Sequence, residues 1–290
     1  MAEALFIGNG INRLSADSVS WKDVLDELAW YAEMPELMDD ADHKPFTLIY
    51  EQMSLGSTKR TEKQLKSKVS KRVINFEPNE FHHRIMVSDI QHVMTTNYDY
   101  SLQRVGDDHG ISANLRREPK YSVFRSRQAE DKRIWHIHGE AEREGSINLG
   151  FDQYSGQLQR VRSYAIDDRK YYNFKSPFRS DPAFDAKNKD QPYSWIDVFL
   201  RDDVHIIGYS LDYTEFDVWW LITYKEKLRK ASKFQVGQTF FHEIISGALS
   251  DDKRAKHSLL ESLGVQVKLH RYRGSDRSAA YHKALDECLP

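Results

Sequence analysis

Two polar side chains of this sequence stand where they could move a proton or orient a water molecule. Asn97 lies in the segment TTNYD at residues 95–99, and His138 lies in the segment HIHG at residues 136–139. A histidine exchanges a proton near neutral pH, and a neutral amide can orient water without changing its own charge. Each segment ends or follows a short apolar run that is typical of a buried strand. The pair therefore indicates acid–base chemistry at the ends of two strands.

Each of these side chains also has an ordinary structural explanation. Asn97 could close an Asx turn and cap the next helix, and His138 could be a buried histidine bonded to a backbone carbonyl. His136 lies two residues before His138, and an extended strand would turn both imidazoles to the same face. The local sequence places no third metal ligand beside them, so we expect no metal there. His138, at the strand end, is the better candidate for chemistry.

A glycine-containing segment, GNGIN at residues 8–12, follows the first apolar run. Gly8 and Gly10 flank Asn9, and their missing side chains would let backbone N–H groups approach a pyrophosphate. The third glycine of the dinucleotide fingerprint is absent, because position 13 is arginine. A plain glycine turn is therefore the alternative explanation.

A second glycine-containing segment, GYSL at residues 208–211, follows a later apolar run. Gly208 and Ser210 would supply backbone and hydroxyl donors for a phosphate or a ribose, and a simple turn is again the alternative. All four segments stand at the carboxyl ends of expected strands, which is where open parallel sheets bind ligands. Together they predict a nucleotide pocket to which Asn97 and His138 are delivered.

The elements that must position these segments alternate between strands and helices. We expect strands at residues 5–7, 90–96, 133–137, 204–207, 239–245 and 265–269. This alternation predicts an α/β fold with a Rossmann-like, mainly parallel, doubly wound sheet of about six strands.

The order of elements also predicts how the chain is divided. Residues 1–15 and 88–290 are expected to form a Rossmann-like catalytic domain, and residues 16–87 a helical insertion. Residues 141–193 carry many polar and aromatic groups without a clear period. We therefore expect a long irregular excursion there, within the catalytic domain, and such excursions are often lids or binding loops.

Composition limits the classes of function. The 290 residues include 42 basic and 44 acidic side chains, and a net charge of −2 argues against a general nucleic-acid binder. The basic cluster at residues 59–72 is best explained as a solvated helix face, with an acidic partner or nucleic acid as the alternative. Cys288 is the one cysteine, which excludes an internal disulfide. Without a signal peptide or an apolar run of roughly eighteen residues, a soluble cytoplasmic protein is expected, with no membrane partner.

The order of the four segments resembles the sirtuin-like NAD-consuming domains of bacterial anti-phage defence proteins. The resemblance spans residues 5 to about 212, and it implies that Asn97 and His138 form a catalytic pair. It also implies that Asp99 faces the nicotinamide carboxamide and that Ser210 faces the adenosine side. The residues that it implies for NAD+ binding are Gly8, Asn9, Gly10, Asn12, Thr96, Asp99, Gly208 and Ser210.

The reaction that the resemblance implies is hydrolysis of NAD+ to nicotinamide and ADP-ribose, with NAD+ as substrate and no metal. Protein-deacetylating sirtuins usually carry a four-cysteine zinc module after the catalytic histidine, which a chain with one cysteine cannot supply. The alternatives are an ADP-ribosyl transferase or cyclase, and a non-catalytic module that senses NAD or ADP-ribose and gates a partner.

The biological expectations also rest on resemblance. The segments at residues 8–12 and 136–139 are similar to the abortive-infection H family as well. We expect an abortive-infection effector with a phage-derived trigger or a co-encoded defence protein as partner. We also expect a homo-oligomer, because subunit contacts can hold such an enzyme inactive.

Overall fold

The computed structural model describes residues 2–15, 18–105, 120–166, 176, 194–232 and 234–289, and every structural statement concerns these residues. The strands are β1 (Glu3–Ile7), β2 (His92–Thr95), β3 (Ser126–Ala129), β4 (Lys132–His136), β5 (Asp203–Ile207), β6 (Thr239–Ser246) and β7 (Val265–Tyr272). They form one seven-stranded sheet in the order β3-β4-β2-β1-β5-β6-β7. Neighbouring strands are parallel except β3 and β4, which form an antiparallel hairpin.

The order of the six parallel strands is that of a dinucleotide-binding sheet. With the antiparallel β3 set aside, it corresponds to the Rossmann order 3-2-1-4-5-6, whose switch point lies between the first and fourth strands. The expected mainly parallel, Rossmann-like sheet is therefore confirmed. The antiparallel strand β3 was not expected, because its sequence SRQA carries no apolar run. Its Arg127 instead pairs with the buried Glu140, with 2.5 Å between Nε and Oε2.

Four strands end at the same level of the sheet. Ile7 of β1 is the register partner of both Thr95 of β2 and Ile207 of β5. Thr95 is in turn the partner of His136 of β4. The four segments singled out in the sequence therefore leave the sheet side by side, at its carboxyl edge.

The helices are α1 (Trp21–Tyr31), α2 (Phe46–Gly56), α3 (Glu62–Val73), α4 (Glu80–Val87), α5 (Phe151–Ala165), α6 (Trp195–Arg201), α7 (Phe216–Ala231), α8 (Asp251–Ser262) and α9 (Arg277–Asp286). They cover both faces of the sheet. Phe6 of β1 packs in the cluster that contains side chains of α5, α6 and α7, whereas Leu5 and Ile7 pack in the cluster that contains side chains of α4 and α9. Among the described residues, none of the helices combines the length and apolar character needed to cross a membrane.

Helices α1 to α4 lie between β1 and β2, where the sequence predicts a helical insertion. Helix α1 begins with a capping box, in which Ser20 Oγ accepts from the Asp23 N–H and Asp23 Oδ2 accepts from the Ser20 N–H. Side chains of α1, α2 and α3 share a buried cluster that also contains Ile147 and Leu149, from the chain after β4. The insertion is thus packed against the segment that follows His138. Its exact boundaries remain a prediction.

Within residues 141–193, where a partly irregular excursion was expected, residues 151–165 form the regular helix α5. The buried side chains of this helix recur every three or four residues: Gln153, Tyr154, Gln157, Val161 and Tyr164. Because four of the five are amides or hydroxyl-bearing rings, a search for apolar periodicity does not find the helix. Four aromatic residues of the same excursion, Tyr171, Tyr172, Phe174 and Phe178, lie outside the described residues.

Candidate functional site

A cavity of about 390 Å³ opens at the carboxyl edge of the sheet, beside the switch point. All four sequence segments contribute to its wall. Eight of the ten predicted residues line it: Asn9, Gly10, Thr96, Asn97, Asp99, His138, Gly208 and Ser210. The other two, Gly8 and Asn12, do not line the cavity but lie next to residues that do. A volume of this size is in the range of sites for small molecules and nucleotides.

Asn97 is held at three points after the end of β2. Its N–H donates to Thr95 Oγ1 at 3.0 Å, and its carbonyl oxygen lies 3.1 Å from Nδ1 of His136. Its side-chain Nδ2 lies 3.4 Å from Oδ1 of Asn12. The alternative in which Asn97 closes an Asx turn is therefore wrong. An Asx turn is found two residues later, where Oδ1 of Asp99 accepts from the N–H of Ser101 at 2.9 Å.

Asn12 supports the cavity floor and does not face the cavity. It is 3% exposed, and its Nδ2 donates to Oδ2 of Asp99 at 2.7 Å. Its Oδ1 lies 3.0 Å from Nε2 of His82, a residue that the sequence did not single out. Burial lowers the pKa of His82 to about 4, so this imidazole is neutral and donates from Nε2. Asn12 therefore contacts Asp99 and Asn97 in this structure, and its implied contact with NAD+ stays a prediction.

His136 is a structural histidine with a fixed tautomer. Its Nε2 lies 2.7 Å from Nε2 of Gln103, an amide nitrogen that can only donate. Nδ1 of His136 therefore carries the proton and donates it to the carbonyl oxygen of Asn97. Burial lowers the pKa of His136, which agrees with a neutral ring. The expectation that His136 and His138 share a face is wrong, because β4 ends at His136 and the two rings contact different side chains.

His138 is buried against two carboxylates from the start of α7. Its Nε2 lies 3.0 Å from Oδ2 of Asp217, and its Nδ1 lies 3.7 Å from Oε2 of Glu215. The alternative of a side chain bonded to a backbone carbonyl is not what the structure shows. The Tyr154 ring packs edge-on against the imidazole with 4.9 Å between ring centroids.

The backbone of His138 is fixed by a tight turn. Gly139 has a φ of +114°, and a Cβ there would come within 2.5 Å of the Ser146 carbonyl oxygen. The chain then doubles back, so that the N–H of Asn148 donates to the His138 carbonyl oxygen at 2.8 Å. This turn aims His138 at the cavity.

The carboxylates set the protonation of this group. Burial alone would lower the pKa of His138, but the charge and hydrogen bond of Asp217, together with Glu215, outweigh it and raise the pKa. Burial also raises the pKa of Glu215 to about 7, with Asp217 adding to the rise and His138 opposing it. The pKa of His138 therefore lies above its ordinary value and that of Glu215 lies at about 7, and perturbed groups of this kind are typical of general acids and bases.

Glu215 and Asp217 were missed in the sequence because they belong to no strand-end motif. The available signal was their position: both lie at the start of the helix that follows the GYSL segment, where acidic side chains are favoured. The His138, Glu215 and Asp217 group also offers three ligand atoms within 4.8 Å of one another, so these residues could hold a cation.

The glycines of the first segment hold two loops together. The N–H groups of Gly8 and Gly10 donate to the carbonyl oxygens of Ile207 and Gly208, at 3.1 and 2.7 Å. A Cβ on Gly10 would lie 2.6 Å from the Gly208 carbonyl oxygen. These two N–H groups are therefore paired within the protein, and the predicted role of Gly8 and Gly10 in binding the substrate stays a prediction. The helix after them is a single 3-10 turn, Asn12–Leu14, which is too short for a helix-terminus anion site.

Cationic side chains of the cavity wall suit phosphate groups better than the paired N–H groups of Gly8 and Gly10 do. Arg13, Lys253 and Arg277 all line it. Lys253 Nζ donates to Oε1 of Glu243 at 2.7 Å, and Arg277 donates to the Tyr281 hydroxyl at 3.3 Å. The sequence did not reveal Lys253 and Arg277, since they come from α8 and α9, far along the chain.

The model of the SIR2-like domain family matches residues 91–267, which is more than half of the chain. The chain belongs to the SIR2-like family. A search of curated proteins finds no match. The family match begins just before β2 and covers Asn97, His138 and Asp217, whereas β1 and the GNGIN segment lie before it. SIR2-like domains use NAD+ as a substrate, so membership of this family indicates an NAD-related activity.

The SIR2-like cavity has polar atoms that suit such a substrate. Glu215, whose carboxylate lies beside His138, lines the cavity and can accept a hydrogen bond from a ligand. Asn97 brings an amide, and Arg13, Lys253 and Arg277 bring positive charge. Hydroxyl, amide and phosphate groups of a dinucleotide would all find complementary partners here.

Proposed function

We propose that this SIR2-like protein is an NAD+ glycohydrolase that cleaves NAD+ to nicotinamide and ADP-ribose. The observation that carries the proposal is the meeting of Asn97 and His138 in one cavity, with His138 bonded to Asp217. An amide that can hold water and an imidazole that can take its proton are sufficient for hydrolysis of a glycosidic bond with a good leaving group.

In the proposed reaction, the bond between ribose C1′ and the nicotinamide nitrogen breaks, and nicotinamide departs with the electron pair. The ribose then carries oxocarbenium-like positive charge. One water forms the new C–O bond to C1′, and its proton passes to His138. Because Nδ2 of Asn97 is directed to Asn12, the amide oxygen of Asn97 is left to accept a hydrogen bond from that water.

Asp217 and Glu215 would assist through His138. A raised pKa makes the neutral imidazole a stronger base, and the imidazolium formed after proton transfer is stabilised by both carboxylates. The Asp217 bond also fixes which nitrogen faces the carboxylate and which faces the reaction. The rings of Tyr154 and Trp21 line the cavity and would help to exclude bulk water.

Arg13, Lys253 and Arg277 are proposed to hold the diphosphate, in place of the glycine N–H groups. Charged donors form the stronger kind of hydrogen bond to phosphate oxygens. Ser210 and Gly208 line the same cavity and remain proposed for the adenosine side.

The biological role proposed is that of an abortive-infection effector which drains NAD+ when a phage-derived trigger or a co-encoded partner activates it. This part is supported by the resemblance of the four segments to anti-phage NADases. A homo-oligomer that gates the pocket belongs to the same proposal. Expression in a bacterial host, followed by phage challenge and NAD+ measurement, tests it: protection and NAD+ loss should both vanish with Asn97→Ala.

The reaction itself is tested by product analysis. Purified protein is incubated with NAD+, alone and with lysate of infected cells as a source of activator, and the products are separated by chromatography. Equal amounts of nicotinamide and ADP-ribose support hydrolysis. Nicotinamide with cyclic ADP-ribose, or with an ADP-ribosylated acceptor, would replace hydrolysis with cyclisation or transfer. NAD+ binding without turnover in both conditions would favour a sensing module.

A further inference from the structure

Three histidines form a buried ladder across the last three strands of the sheet, outside the Asn97 and His138 pair. Nδ1 of His205 on β5 lies 3.0 Å from Nε2 of His242 on β6. Nδ1 of His242 lies 2.9 Å from Nε2 of His270 on β7. The ladder is buried, with exposed fractions of 6%, 3% and 4%.

Cys288, which follows α9, completes a cluster with two of these histidines. Its Sγ lies 3.4 Å from Nε2 of His242, and the thiol is buried. One ligand atom from each of His205, His242 and Cys288 lies within 4.8 Å of the other two. Two imidazoles and a thiol are the ligand types that zinc prefers in proteins.

The spacing of the ligand atoms suits a tetrahedral ion. With Zn–N and Zn–S distances of about 2.05 and 2.3 Å, the edges of a tetrahedron measure about 3.3 Å between nitrogens and about 3.6 Å between nitrogen and sulfur. The corresponding separations in this cluster are 3.0 Å for His205 to His242 and 3.4 Å for His242 to Cys288. A shift of a few tenths of an ångström would admit the ion.

The far nitrogen of each histidine already has the kind of partner that metal-bound histidines have. Nε2 of His205 lies 2.9 Å from Oε2 of Glu3 on β1. Nδ1 of His242 faces His270. Carboxylate and imidazole partners of this kind fix the ring orientation and raise the basicity of the ligand nitrogen.

We propose that His205, His242 and Cys288 bind one zinc ion, with the fourth position left to water. The ion would join β5 and β6 to the chain end after α9, the helix that brings Arg277 and Tyr281 to the cavity wall. Zinc binding would release the thiol proton. His242 would carry its one proton on Nδ1 and donate it to Nε2 of His270, whose own proton would lie on Nδ1, so each imidazole stays neutral. This site departs from the sequence-based expectation of a metal-free protein. His242 also lines the candidate cavity, but the test of the zinc site does not depend on NAD+ turnover.

The surroundings keep both imidazole ligands neutral, which is the form that zinc binds. Burial lowers the pKa of His205, and burial with the neighbouring His205 and His270 lowers the pKa of His242 to about 3. Burial raises the pKa of the Cys288 thiol, which opposes its ionisation, and the thiolate would therefore form only as the metal displaces the proton.

A metal-free arrangement of the same residues is the competing explanation. His270 could donate to His242, His242 to His205, and His205 to Glu3, while the thiol donates to the Ala284 carbonyl oxygen at 2.8 Å. Every group would then have a partner. The experiment must therefore detect the metal–thiolate bond itself.

The sequence offers a direct probe, because Cys288 is its one cysteine. Untagged full-length protein is purified, its zinc content is measured, and zinc is removed with a chelator and replaced by Co²⁺. A thiolate bound to Co²⁺ gives a charge-transfer absorption band in the near ultraviolet, and here that band can come from one residue alone. The variants are Cys288→Ala and His242→Ala, with the exposed His43→Ala as the matched control.

We expect about one zinc per chain, a Co²⁺–thiolate band, and a Tm that falls by roughly 5 °C or more when zinc is removed. Cys288→Ala should lose the band and the response of Tm to zinc, while His43→Ala keeps both. Melting of Cys288→Ala in chelator shows whether it is folded, and His242→Ala gives a second test that retains the thiol. A wild type without the band, or with a band that survives His242→Ala, would overturn the proposal, as would a Tm that zinc does not change.

Discussion

Nε2 of His138 lies 3.0 Å from Oδ2 of Asp217, although the two residues are 79 positions apart in the sequence. The register of the sheet brings His138 to the cavity, and the helix after β5 brings Asp217 to His138. This buried pair, with Glu215 beside it, is the feature on which the proposed proton transfer depends.

Glu215→Gln should move the pH dependence of turnover to lower pH. The negative charge of Glu215 helps to raise the pKa of His138, so its removal should lower that pKa. Because a general base must be unprotonated, the acidic limb of kcat/KM should shift down by roughly 0.5–1 pH unit. Asp217→Asn should shift the limb in the same direction and also lower kcat, since the imidazole loses its orienting partner. A limb that stays in place in both variants would show that His138 is not the base.

His136→Ala should reduce stability more than chemistry. The variant loses the bonds to Gln103 and to the Asn97 carbonyl oxygen, so a buried amide is left unpaired and Tm should fall. Turnover per folded molecule should fall by less than roughly tenfold, because Asn97 keeps its bonds to Thr95 and Asn12. Thermal melts and single-condition rates on the folded fraction measure the two effects. A stable variant with turnover as low as that of Asn97→Ala would contradict this division of roles.

Gly10→Ala should destabilise the protein through backbone contacts. The added Cβ would meet the Tyr281 hydroxyl at 2.5 Å and the Gly208 carbonyl oxygen at 2.6 Å, and the backbone cannot move aside cheaply. We expect a loss of about 1–3 kcal/mol in the free energy of unfolding. Gly145→Ala is the matched control, since a Cβ there has no heavy atom within 4 Å. Equal denaturation midpoints for the two variants would refute the packing role of Gly10.

These results show why the fold was readable from sequence and part of the site was not. Strands such as β1 and β5 are short apolar runs closed by glycine, and parallel strands in this order must bring their ends together. Asn97 and His138 could therefore be placed in one pocket. Asp217 and Glu215 could not, because their distance from His138 depends on how α7 packs on the sheet. The helix α5 was missed for a different reason, since Gln153 and Gln157 are buried polar residues.

Lys225→Met should reduce the rise of stability with pH. Lys225 is 2% exposed, and its Nζ donates to the Asp202 and Gln238 carbonyl oxygens. Burial, with nearby Arg229, lowers its pKa to about 7 from an ordinary value of 10.5. Between these values the unfolded chain binds the extra proton, so the free energy of unfolding increases as pH rises through this window, and the penalty is fully present below it.

Tm is measured at about pH 7 and at about pH 9. Near the higher pH, Lys225 is mostly neutral in the folded chain and mostly protonated in the unfolded chain. On going from pH 7 to pH 9, the Tm of the wild type should rise more, or fall less, than the Tm of Lys225→Met. Lys227→Met, on the exposed side of the same helix, should behave like the wild type. Identical pH responses of wild type and Lys225→Met would show that Lys225 titrates normally in the folded protein.

The most direct test of the central claim is NAD+ turnover by Asn97→Ala and His138→Ala, measured as nicotinamide release under conditions in which the wild type is active. Each substitution should lower turnover by roughly a hundredfold or more, the usual size of a lost general acid–base contribution. Both variants should still melt cooperatively. Asn97→Ala should keep a Tm close to that of the wild type, whereas His138→Ala should melt at a lower Tm because it leaves the buried carboxylate of Asp217 without its partner. An activated wild type whose turnover is unchanged by both substitutions would contradict the account and place the chemistry elsewhere in the molecule.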